Sequence, residues 1–79
     1  MIYCDLIEAP GDIVKYAIGG RANDITGELI ISIQDGSFDL IKAPENSKVY
    51  QKHIAAMVYW HLDEFRKGIF RDKISYEIG

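Results

Sequence analysis

The amino-acid sequence predicts an α+β fold: a four or five stranded, mainly antiparallel sheet, in the order β-β-β-β-α-β, with one long helix packed on one face. Three observations carry this expectation. Short runs of alternating apolar and polar residues fill the first half of the chain, a stretch from about Glu45 to Lys67 repeats its apolar residues with period 3.6, and a final alternating run follows. At 79 residues there is room for one core, so residues 1–79 read as a single small domain. Folding at this size buries only about 60% of the surface the unfolded chain exposes, which makes association with another chain a natural source of further stability.

Taken in order, Ile2 to Ile7 and Ile13 to Ile18 read as two strands joined through Ala9-Pro10-Gly11-Asp12, whose proline and glycine favour a turn. They are expected to pair antiparallel. Val14, Tyr16 and Ile18 share the face that meets the core, and Lys15 and Ala17 take the other. A hairpin comes next. Asp35-Gly36 suits the positive φ that a two-residue type I′ turn demands at both central positions, which sets Ile33 opposite Phe38 and Ile31 opposite Leu40. The other face then pairs Ile30 with Ile41 among Glu28, Ser32 and Asp39, a mostly solvated surface.

The helical pattern places Tyr50, Ile54, Met57, Val58, His61, Leu62 and Phe65 on one side, the side expected to cover the sheet. Pro44 and Glu45 suit a first turn, and Asn46 or Ser47 suits the cap. Arg66 and Lys67 complement the C-terminal dipole, and Gly68 suits the left-handed residue that ends a helix. Ile74, Tyr76 and Ile78 then alternate with Ser75 and Glu77 as a half-buried strand that joins the sheet.

Composition narrows the function classes. With 48% hydrophobic and 27% charged residues the chain has an ordinary globular make-up. A net charge of −3 lacks the basic excess that drives binding to phosphate backbones, so no nucleic acid partner is expected. The longest purely apolar run, Ile54 to Trp60, falls far short of the roughly 18 to 20 residues that cross a bilayer, so no membrane partner is expected either. One cysteine, Cys4, forms no internal disulfide, and Met1 to Glu8 has Asp5 where a signal peptide needs apolar residues; both point to the cytoplasm.

The residues that suggest a site lie first on the helix. Val49, His53, Ala56 and Trp60, spaced four, three and four apart, form a second stripe on a flank of the main one. Read functionally, it is a contact with a protein partner or a homodimer, with small Ala56 allowing close approach and Trp60 as anchor. Read structurally, loops or the last strand of the same chain wrap that flank.

Gly19-Gly20-Arg21 is the one stretch resembling an anion cradle, since adjacent glycines let backbone amides converge and arginine clamps oxyanions. It lacks the glycine spacing and the strand-to-helix context of a nucleotide fingerprint. A connection needing positive φ explains Gly19, Gly20, Asn23 and Asp24 without any ligand.

His53 and His61 stand eight residues apart, about 12 Å along one helix, too far to share a metal; no metal site and no cofactor is expected. His61 reads as a histidine at the core edge and Cys4 as a small buried apolar residue. Asp63, with Arg66 and Lys67 three and four residues on, reads as a surface pairing residue and not as half of an acid and base pair with Glu64. No catalytic residue is assigned. The leading function is therefore a non-catalytic protein-binding or self-assembly module working through Val49, His53, Ala56 and Trp60. The alternative is a small enzyme, or an anion or small-ligand binder, using the Gly19-Gly20-Arg21 turn, with His61 if the fold brings it near.

Overall fold

The computed structural model describes residues 1–77. Strands β1 (Ile2–Glu8), β2 (Ile13–Gly19), β3 (Gly27–Ser32), β4 (Phe38–Lys42) and β5 (Lys73–Tyr76) form one antiparallel sheet in the order β4-β3-β2-β1-β5, and helix α1 (Gln51–Arg66) lies between β4 and β5 in the chain. The four-strand meander thus ends at β4, and the helix returns the chain to the far edge, where β5 pairs with β1. Ile78, expected at the end of that strand, lies outside the described residues.

Alternation decides which side chains meet the helix. Ile2 and Cys4 of β1, Val14, Tyr16 and Ile18 of β2, Leu29 and Ile31 of β3, and Ile74 of β5 are buried on one face, and Ile54, Met57, Val58 and Phe65 of α1 close over them. Each such aliphatic or aromatic side chain contributes about 1.5 to 3 kcal/mol when fully buried. Phe65 sits at a junction of rings, 6.2 Å from Tyr16 and 6.0 Å from Phe70. With one helix for one sheet, the opposite face stays open, and it carries ion pairs: Lys15 to Glu28 and Lys73 to Asp5, both at 2.9 Å.

The β3–β4 hairpin differs from the two-residue turn in the sequence reading. Its strands meet with Ile31 opposite Phe38 and Leu29 opposite Leu40, two residues away from the expected register. Only Gly36 takes a positive φ there, at 75°, because Asp35 is held at negative φ and accepts the Ser37 N–H at 2.9 Å and the Ser37 hydroxyl at 2.7 Å. The loop widens to four residues, Ile33 to Gly36, closed by the Ser32 N–H on the Ser37 carbonyl. Arg66 at the end of α1 donates to the carbonyls of Ile33 and Gln34, so the helix end braces the wider turn. A shift of two keeps every side chain on its face, which is why Ile33, Phe38 and Leu40 still pack against the core. Across the open face Ile30 meets Asp39, and Ile41 is displaced at a register shift beside Leu29.

The helix also starts later than the pattern suggests. Tyr50 is the N-cap, with no side-chain cap, and Pro44 to Val49 is not helical. The cause is Asp24, which is 5% exposed. Its carboxylate accepts the Asn46 N–H at 2.9 Å and the Ser47 hydroxyl at 2.6 Å, and so takes both proposed capping residues. Tyr50, assigned to the core stripe by its spacing, consequently stands at the helix entrance, 56% exposed. The far end is as expected: Gly68 has φ 78°, its N–H reaches the Phe65 carbonyl, and the Ile69 N–H reaches Glu64, the paired bonds of a Schellman motif.

Candidate functional site

The second helical stripe lies beside β5. His53 is half-buried, its ring 5.8 Å from Tyr76 in a stacked arrangement and 5.4 Å from Tyr50 edge-on. Trp60 lies two turns further along, 4.9 Å from Tyr76 and tilted by 49°. Val49 packs against the core just before the helix, and Ala56 is half-buried between His53 and Trp60 in sequence. The last strand therefore wraps part of this flank through Tyr76, yet Trp60 remains 60% exposed. His53 Nδ1 is buried with no hydrogen-bond partner among the described residues, a desolvation cost at this flank.

Two members of this aromatic group were not legible as such. Tyr50 reads as a core residue and stands exposed at the helix entrance instead, while Tyr76, read as part of a half-buried strand, does pack against the core; both rings also flank His53. The three-residue spacing from Tyr50 to His53 is the signal that was present.

The glycine turn is organised by its own chain. Gly20 N–H donates to Ser47 Oγ at 2.9 Å, and Asp24 N–H closes a turn on the Arg21 carbonyl at 3.0 Å. Neither Gly19 nor Gly20 has positive φ, so conformational freedom is not what requires them. Close approach is: a Cβ on Gly19 would lie within bonding range of the Asp24 carbonyl, and one on Gly20 would stand 2.4 Å from the Lys48 carbonyl oxygen. Arg21 is exposed at the rim. The amide that an anion would use is already bound to Ser47.

Among the titratable groups, Glu64 bridges His61 Nδ1 at 2.9 Å and Arg71, whose guanidinium grips both carboxylate oxygens. These partners, Arg71 foremost and then His61, pull the Glu64 carboxyl down to about 2. The network ties α1 to the loop before β5 and explains the place of His61 at the core edge. Glu64 is the partner that His61 lacked on sequence grounds, three residues along the same helix. Burial pushes the Cys4 thiol up to about 12, with Asp5 adding to it, so the thiol stays protonated and non-nucleophilic.

A shallow depression of about 300 Å³ opens on the uncovered sheet face, between β1, β5 and the β2–β3 connection, lined in part by Tyr3, Asp5, Ala22, Ile25 and Lys73. Neither Arg21 nor His61 lines it. Among the described residues no cluster of three or more His, Cys, Asp or Glu side chains is arranged to hold a metal, and no helix is long and apolar enough to cross a membrane. No family model, curated protein or solved structure matches the chain.

Proposed function

We propose that this chain is a non-catalytic assembly module whose partner is a second copy of itself, engaged through the helix flank of Val49, His53, Ala56 and Trp60. The observation that carries the reading is Trp60: a large indole fixed against Tyr76 on one side and 60% exposed on the other. Such a ring is pre-ordered by its own chain, so little side-chain entropy is lost when a partner covers it, and tryptophan is the residue type most often found as an interface anchor. The small core adds a motive, since a partner extends the buried surface of a chain too short to bury much by itself.

The mass of the protein in solution across a concentration series tests this. The expected result is a monomer–dimer equilibrium with a dissociation constant in the micromolar range or tighter. A monomer throughout the millimolar range overturns it.

A further inference from the structure

We propose that two copies join edge to edge through β5, antiparallel about a two-fold axis at Ser75, so that Lys73 of each copy faces Glu77 of the other. This deepens, and rests on, the reading of the chain as a self-associating module.

The sheet order leaves β5 at an edge. The Leu6 N–H donates to the Asp72 carbonyl at 2.8 Å, and the register continues with Cys4 opposite Ile74 and Ile2 opposite Tyr76. In an antiparallel ladder, bonded pairs alternate with unbonded ones. Ile74 and Tyr76 therefore direct their backbone groups to β1, and Lys73 and Ser75 direct theirs outward; Glu77, exposed one residue past the strand, takes the next outward place once edge pairing extends β5 by that residue. No backbone bond reaches those outward groups among the described residues.

The other edge, β4, is broken by a register shift beside Leu29. Irregularities of that kind blunt an edge against pairing. The pairing of β5 with β1 is regular over all four of its residues. Of the two edges, β5 is the one with unbroken pairing.

The outward residues are complementary to themselves. Centred on Ser75, the pairing sets Lys73 against Glu77 of the partner and Glu77 against Lys73, opposite charges on the open face of the joined sheet. On the helix face the same register sets Ile74 against Tyr76 of the partner, apolar on apolar. Centring on Lys73 or on Glu77 puts like charges face to face. Centring on Ile74 or Tyr76 leaves Lys73 or Glu77 opposite serine.

The axis runs perpendicular to the sheet, so both helices lie on one side and present their β5 flanks to each other. A four-residue strand buries far less than the roughly 1,200 Å² of a stable interface, so the flanks must close over the joint. Trp60, 4.9 Å from Tyr76, is placed to do so.

The test is a charge exchange read by sedimentation. Lys73→Glu alone and Glu77→Lys alone each put two like-charge pairs across the joint, and each is expected to weaken the dimer about tenfold or more. Mixing the two variants creates a heterodimer in which both pairs are again opposite in sign, and its affinity is expected to return to within about threefold of the wild type.

Loss of the pairing between Lys73 and Asp5 within one copy cannot produce rescue by the other copy, so recovery on mixing reports the register itself. If the wild type dimerises but mixing gives no recovery, the edge pairing is wrong and the self-association reading stands. If the wild type is monomeric, both fail. If an added extended peptide binds β5 while the chain alone stays monomeric, the occupant is a foreign strand and the proposal is overturned.

Discussion

The indole of Trp60 lies 4.9 Å from the ring of Tyr76, joining the middle of the helix to the outermost strand of the sheet. That contact makes the helix flank and the sheet edge one continuous surface. Under the proposed assembly, substitutions there would report on association and on β5 together, whereas those elsewhere report on the fold alone.

The hairpin gives the clearest test of the fold. Gly36 has φ 75°, and a Cβ placed on it would come within 3.0 Å of Leu62 Cδ2. Gly36→Val is expected to cost about 1 to 2 kcal/mol from backbone strain, with displacement of Leu62 adding to it. Denaturant unfolding measures this, and unchanged stability would show that the loop rearranges freely.

Asp24 sets where the helix begins. Its carboxyl is held below the usual aspartate range, by the Ser47 hydroxyl above all and further by Asn46 and Thr26. A depressed value means that the stabilisation is present above the unfolded value and is lost as pH falls through the folded one. Asp24→Asn is expected to lower Tm at neutral pH, by an amount that shrinks as the wild type is acidified, and to speed exchange of the Asn46 amide. Undiminished protection of that amide would contradict the role given to Asp24.

Glu64 carries a second acid-labile tie, with its carboxyl at about 2 against the ordinary 4.5. The pairing with Arg71 and His61 thus contributes stability above about pH 4.5 that disappears between there and about pH 2. The stability gap between the wild type and Glu64→Gln should follow this course, wide at neutral pH and closed at the acid end. A gap independent of pH would mean that Glu64 acts through packing and not through charge.

His53 leaves Nδ1 buried without a partner among the described residues, between two tyrosine rings. His53→Phe keeps the ring contacts and removes the unpaired atom, so the unfolding free energy is expected to stay equal or rise by up to about 1 kcal/mol, with Tm following. A clear drop would show that the imidazole makes a bond of consequence.

Much of this fold was legible because period-2 and period-3.6 patterns record which face is buried, as Val14, Tyr16 and Ile18 do on β2 and Ile54, Val58 and Phe65 do on α1. Legibility failed where a distant side chain overrode a local preference. Asp24 lies 22 residues before Asn46 and 23 before Ser47, and nothing near those two residues announces that their donors are taken. In the hairpin, Asp35 preferred its own bonds to Ser37 over a positive φ, which moved the register by two and left the faces intact.

The flank shows the same division. His53 and Trp60 were readable from helical spacing, but the contribution of Tyr76 was not, because it depends on β5 pairing at the β1 edge.

The most direct test of the central claim is Trp60→Ala, followed by mass in solution and by thermal unfolding at two protein concentrations. A residue that anchors an interface and one that only supports its own chain respond differently to truncation. The expected result is association weakened by about 2 kcal/mol or more, with far-ultraviolet circular dichroism nearly native and the concentration dependence of Tm expected of the wild type lost. A variant that loses stability equally at both concentrations, from a wild type that never associates, would contradict the assembly role and leave Trp60 as a support for Tyr76 alone.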